Sequence, residues 1–64
     1  MIGYNIRKLR LEREWTQGEL ADRLGVSRSA MGNYEREKRE PGIDLLIKLA
    51  DTFNVSIDEL VGRK

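Results

Sequence analysis

The segment TQGELADRLGVSRSAMGNY, residues 16–34, contains the start and end of one helix and the start of a second. Thr16 and Glu19 have the spacing of a capping box, in which each side chain accepts a hydrogen bond from the backbone of the other. Gly25 ends this helix, because glycine takes a left-handed conformation at low cost. Ser27 then caps the next helix. The segment therefore predicts two short helices joined by a tight turn.

The second of these helices, expected over residues 28–36, has two chemically different faces. At 100° per residue, its apolar side contains Ala30, Met31 and Tyr34. The opposite side carries small or hydrogen-bonding residues, namely Arg28, Ser29, Gly32, Asn33 and Arg36. Slim side chains and bidentate donors suit the major groove of DNA, where base edges are read. A mid-helix Gly32 costs about 1 kcal/mol relative to alanine; it is either simply tolerated or needed for close approach to DNA.

The rest of the chain predicts three more helices and no strand. The first covers residues 2–13, with a narrow apolar stripe of Ile2, Ile6 and Leu9. The fourth covers residues 43–53, and its apolar residues span about 200° of arc, so we expect a central helix that contacts several others. The fifth begins at a second capping box, Ser56 with Glu59, and ends near Gly62. The expected fold is one compact all-α domain over residues 1–64.

Composition excludes several classes of protein. The 64 residues contain no cysteine and no histidine, which excludes disulfides and the usual zinc sites. No apolar run is long enough to cross a bilayer, and no signal peptide is present, so a cytoplasmic protein is expected. No isolated carboxylate pair and no phosphate-binding glycine loop stand out, so we do not expect an enzyme, a cofactor or a small-molecule ligand.

The charges nearly cancel, with 12 basic and 11 acidic residues, but they are unevenly placed. Basic residues occur in the first helix and in or just after the third helix: Arg7, Lys8, Arg10, Arg13, Arg28, Arg36, Lys38 and Arg39. The acidic residues Asp44, Asp51, Asp58 and Glu59 lie in the last third. Charge alone would fit an ordinary mixed surface equally well. The positions of the basic residues, more than their number, indicate binding to nucleic acid.

The sequence TQGELADRLGVSRSAMGNYE resembles the Cro and repressor helix-turn-helix family of phages and bacteria. The resemblance continues through IRKLRLER, REKREP and LLIKLADTFNVSIDEL. Its most specific residues are Gln17, Leu20, Ala21, Leu24, Gly25, Val26, Met31 and Tyr34. It implies a five-helix, lambda-repressor-like DNA-binding domain over residues 1–64, with the motif at about 16–36. It also implies a transcriptional regulator, usually a repressor, that binds double-stranded DNA at a palindromic operator as a homodimer.

The resemblance also implies roles for individual residues. The base-reading residues would be Arg28, Ser29, Gly32 and Asn33. The phosphate-binding residues would be Thr16, Gln17, Arg36, Lys38 and Arg39. Arg10 and Glu35 would form a partly buried ion pair between the first and third helices. Such a pair fixes orientation more clearly than it adds stability.

Two positions depart from the family pattern. Glu37 stands where a glycine often follows the third helix, so either that helix continues or the loop changes shape, because a left-handed glutamate is strained. Its charge and that of Glu40 should also weaken binding to phosphates. Gly42 stands where a serine or threonine often caps the fourth helix.

Several alternatives stay open at the level of sequence. A protein-interaction or antitoxin-type module can use the same fold, although such a face usually carries aromatic or large aliphatic anchors. Ile57 and Val61 are candidate dimer contacts, or else ordinary core residues of the fifth helix. The chain is either a complete small regulator or part of a longer one. A DNA-binding regulator would act at the nucleoid.

Overall fold

The computed structural model describes residues 2–63, which form five helices and no strand. The helices are α1 (Ile2–Glu12), α2 (Gln17–Leu24), α3 (Arg28–Glu35), α4 (Ile43–Phe53) and α5 (Ile57–Val61). This confirms the all-α, five-helix prediction, with boundaries within one or two residues of those expected. In this part of the chain, no helix is both long and apolar enough to span a membrane.

The helix ends follow the local signals in the sequence. Both capping boxes are present: Thr16 Oγ1 accepts from the Glu19 amide at 3.0 Å, and Ser56 Oγ accepts from the Glu59 amide at 3.0 Å. The left-handed residues that end α2, α4 and α5 are Gly25, Asn54 and Gly62. Gly42 begins α4 without any side-chain cap. These ends are encoded within a few residues, so the sequence predicts them directly.

The end of α3 differs from both outcomes expected at Glu37. The helix ends at Glu35, and Arg36 is the C-cap. Glu37 itself adopts the left-handed conformation, with φ of 60°. The backbone then closes with a hydrogen bond from the Lys38 amide to the Asn33 carbonyl at 2.9 Å. Helix α3 therefore does not continue, and a glutamate occupies a conformation that costs non-glycine residues about 1–2 kcal/mol.

All five helices contribute to one hydrophobic core. Its fully buried members are Ile6, Leu20, Ala21, Leu24, Met31, Leu49, Phe53 and Leu60. Helix α4 packs on α2 and α5. Part of its wide apolar arc stays uncovered within residues 2–63, because Ile43 and Ile47 are 65% and 46% exposed. An arc as wide as that of α4 exceeds what two neighbouring helices cover.

A stack of four side chains holds the α1–α2 connection against α4. The Arg23 guanidinium lies 4.3 Å from the centre of the Trp15 ring, and the Trp15 and Phe53 rings stack at 5.9 Å. The Arg13 guanidinium lies 5.0 Å from the centre of the Phe53 ring, and it also donates a hydrogen bond to the Phe53 carbonyl at the end of α4. Such cation–π and aromatic contacts each contribute about 0.5–1.5 kcal/mol. The stack holds the start of α2 against the end of α4.

Gly3 permits a close crossing of α1 over the end of α3. A Cβ on Gly3 would lie 2.6 Å from the carbonyl oxygen of Glu35 and 2.7 Å from that of Tyr34. Both distances are too short for any real Cβ, and these two atoms belong to the backbone. The Cβ would also lie 2.5 Å from the side-chain Cγ of Glu37. This crossing could not be predicted from sequence, because it depends on which helices meet. Gly3 thereby helps to set the orientation of α3.

Candidate nucleic-acid interface

A buried ion pair ties the C-terminal end of α3 to α1. Arg10 Nε donates to Glu35 Oε2 at 2.7 Å, and Arg10 Nη2 donates to Glu35 Oε1 at 3.1 Å. The two side chains are only 10% and 3% exposed. Arg10 Nη1 also donates to the Trp15 carbonyl at 2.8 Å. The pair implied by the family resemblance is thus present, and it links α1, the α1–α2 connection and α3.

Gln17 belongs to the same network. Its Nε2 donates to Glu35 Oε1 at 3.1 Å, so the first residue of α2 is tied to the last residue of α3. The family resemblance implied a phosphate contact for Gln17, and the structure adds this internal bond. A side-chain amide has two N–H donors, and the bond to Glu35 uses one of them. The network fixes the angle between the two helices of the motif.

The outer face of α3 forms a shallow depression of about 470 Å³. It is lined by Gln17, Arg28, Ser29, Gly32, Asn33 and Arg36. The structure therefore brings together the four residues expected to read bases and two of those expected to bind phosphate. Its walls are polar or backbone, which suits the hydrogen-bonding edges of bases better than an apolar ligand.

Arg36 lies on this face rather than with the basic residues that follow α3. Its Nη2 donates to Asn33 Oδ1 at 3.1 Å. Lys38 and Arg39 are exposed in the connection between α3 and α4, together with Glu37 and Glu40. The helical angle of Arg36 already placed it beside Arg28 in the sequence, whereas the family resemblance assigned it to phosphate. The contact with Asn33 was not visible in the sequence, because it depends on a side-chain conformation.

Thr16 lies at the other edge of the interface, before α2. Its hydroxyl oxygen accepts the capping hydrogen bond, so the hydroxyl hydrogen remains to be donated outward. The first amides of a helix lack intrahelical partners and attract anions. Across residues 2–63, no group of three or more side chains could hold a metal ion. The arrangement offers hydrogen-bond donors and positive charge.

Comparison with known proteins identifies the family. A family model described as helix-turn-helix matches residues 6–60. The chain belongs to the Cro/repressor-type helix-turn-helix family. A curated relative is the helix-turn-helix transcriptional regulator ImmR of Bacillus subtilis, which is 37% identical over 62 residues. That alignment covers 97% of this chain and 49% of ImmR. The chain spans about half the length of the first curated relatives that it matches.

Two solved helix-turn-helix structures have a similar fold and are described as complexes with DNA. The P22 c2 repressor, bound to a synthetic operator, superposes with a TM-score of 0.88 at 32% identity, covering 94% of this chain and 91% of that one. The biofilm regulator SinR in complex with DNA superposes with a TM-score of 0.86 at 34% identity. That match covers 95% of this chain and 98% of the SinR chain.

Proposed function

We propose that this chain is a sequence-specific DNA-binding transcriptional regulator, acting as a repressor with α3 in the major groove. The observation that carries the proposal is the outer face of α3, where the polar side chains around one depression point away from the core. The Arg10–Glu35–Gln17 network holds that face in a fixed orientation. Preorganised donors lose less conformational entropy on binding. The DNA complexes of the P22 c2 repressor and SinR support the same role.

The residues divide into two groups by the part of DNA that they would contact. Base reading is proposed for Arg28, Ser29, Gly32 and Asn33, which line the depression. Phosphate contacts are proposed for Thr16, Gln17, Lys38 and Arg39. The family resemblance also assigned Arg36 to phosphate, and its role is considered separately below. Arg28 is the main candidate for guanine, because a guanidinium matches its O6 and N7 atoms. Glu37 and Glu40 would moderate the affinity of the phosphate-binding group.

We also propose that the chain binds a palindromic operator as a homodimer. Ile57 is 37% exposed and Val61 is half-buried, so α5 has apolar surface that the other residues between 2 and 63 do not cover. Exposed apolar area of this kind supports contact between subunits. Two α3 helices related by a two-fold axis would then lie about 34 Å apart, one turn of DNA. Such a regulator would act at the nucleoid in the cytoplasm.

Selection of bound sites from random duplex DNA tests this function. We expect an enriched sequence made of two inverted half-sites spaced by about one helical turn. The logarithm of the binding constant for this DNA should fall steeply and linearly with the logarithm of the salt concentration. Absence of any enriched sequence, together with a flat salt response, would contradict DNA binding. Enrichment of a single asymmetric half-site would contradict the dimer alone.

A further inference from the structure

The position of the Arg36 guanidinium on the outer face of α3 depends on Gly32, which lies one turn earlier and has no side chain. Arg36 follows Gly32 by four residues, and long side chains on a helix lean toward its N-terminus. A Cβ on Gly32 would lie 3.2 Å from Arg36 Nη1, 3.5 Å from Nη2 and 3.7 Å from Cζ. All three atoms belong to the guanidinium. Gly32 is therefore buried, although it lies on the outer face, and Arg36 occupies the space above it.

Asn33 fixes the direction in which this guanidinium points. Its Oδ1 accepts the hydrogen bond from Arg36 Nη2 at 3.1 Å. Among residues 2–63, no carboxylate forms an ion pair with Arg36. A guanidinium has five N–H donors, so most of them remain available to a ligand. The charged group is held against the helix surface while its donors stay unused.

We propose that Arg36 reads a base, and that Gly32 and Asn33 position its guanidinium for this contact. The inference rests on the proposed function and replaces the phosphate contact that the family resemblance implied for Arg36. The guanidinium shares its depression with Arg28 and Ser29 instead of extending from the connection after α3. Its planar pair of N–H groups matches O6 and N7 of guanine. The expected target is one guanine in each half-site, in addition to the base read by Arg28.

The same geometry adds a role for Asn33. A bidentate asparagine–adenine contact needs both the oxygen and the nitrogen of the amide. In this chain the Asn33 oxygen is engaged by Arg36. That oxygen has a second lone pair, so Asn33 acts as a positioning residue for the guanidinium in addition to the base contact proposed for it above. Gly32 is the second positioning residue, because a Cβ at this position would push the Arg36 guanidinium away from the helix surface.

The variants Arg36→Ala and Arg36→Lys test base reading against phosphate binding. Binding is measured on the site selected by the unmodified protein and on a panel in which each base pair is replaced. We expect Arg36→Ala to lose discrimination at one guanine by about 5- to 150-fold. Arg36→Lys should lose part of it, because an ammonium lacks the planar pair of N–H groups. Arg36→Lys keeps the charge, so its salt dependence should stay near that of the parent. Uniform weakening on all sequences by Arg36→Ala, fully restored by Arg36→Lys, would overturn the proposal.

A double-mutant cycle of Gly32→Ala with Arg36→Ala tests the positioning role. Alanine favours a helix over glycine, so Gly32→Ala should not lower the melting temperature. We expect it to reduce the guanine preference in the parent and to cause no further loss in the Arg36→Ala background. Losses that add in the two backgrounds would show that Gly32 acts by close approach to DNA, which would overturn its role toward Arg36. A parent protein that selects no site would instead contradict the proposed function.

Discussion

The inner and outer faces of α3 use polar side chains in opposite ways. On the inner face, Glu35 is almost fully buried and accepts hydrogen bonds from Arg10 and Gln17. On the outer face, Arg28 and Arg36 are exposed. The inner donors and acceptors are satisfied within the protein, whereas most of the outer N–H donors remain available to a ligand. The inner face of this eight-residue helix therefore contributes to folding stability, and the outer face is available for binding. Substitutions on the inner face should change the unfolding free energy, and those on the outer face should change DNA affinity.

The largest effect is expected on the inner face, from Arg10→Ala. Removing one partner of a buried pair leaves the other charge uncompensated, which costs about 3–5 kcal/mol. Small domains have only about 5–15 kcal/mol of stability in total. Urea denaturation followed by circular dichroism should therefore show a large loss of unfolding free energy. The double variant Arg10→Met with Glu35→Leu should recover most of it. A loss below about 1 kcal/mol for Arg10→Ala would show that the pair does not anchor α3.

The next effect concerns the crossing of α1 over the end of α3. Gly3→Ala should lower the unfolding free energy by about 1–3 kcal/mol, because the new methyl group meets two backbone carbonyls that cannot move separately. Gly18→Ala is the matched control. Its Cβ would have no neighbour closer than 3.8 Å, so the helix preference of alanine should make it neutral or stabilising. Equal behaviour of the two variants in thermal denaturation would contradict a tight α1–α3 contact.

The ion pair and the helix crossing behind these two predictions are harder to predict from sequence than the helix ends are. The capping boxes and the left-handed ends at Gly25, Asn54 and Gly62 depend on neighbouring residues, so the sequence predicts them directly. The Arg10–Glu35 pair joins residues far apart in sequence, and the expectation came from resemblance to a family. The Gly3 crossing has no local signal, since a glycine in a helix looks the same whether or not another backbone lies against it.

The candidate interface shows the same division. The helical angle alone placed Arg28, Ser29, Gly32, Asn33 and Arg36 on one side of α3, and the structure groups them around one depression. The arrangement of Arg36 over Gly32 could not be predicted, because an arginine side chain has many conformations. The exposure of Ile43 and Ile47 was also missed, because an apolar pattern does not state how many neighbours will cover it.

On the outer face, Arg28→Ala should weaken binding to the selected site by about 1–3 kcal/mol and relax the preference at one base pair of each half-site. The unfolding free energy should change by less than about 0.5 kcal/mol, since the side chain is exposed. Arg7→Ala removes the same charge from an exposed position on α1 and serves as the control. Quantitative binding to matched and substituted duplexes gives both values. An unchanged base preference for Arg28→Ala would exclude it as a base reader.

The smallest effect is expected just after the end of α3, at Glu37. Glu37→Gly removes the penalty of a left-handed glutamate and should raise the unfolding free energy by about 1 kcal/mol. It also removes a negative charge beside Lys38, so binding to all DNA sequences should strengthen modestly. Glu37→Gln keeps the strained backbone and loses the charge, so it should strengthen binding without gaining stability. If both variants gain the same stability in urea denaturation, charge repulsion and not backbone strain is the cost that Glu37 imposes.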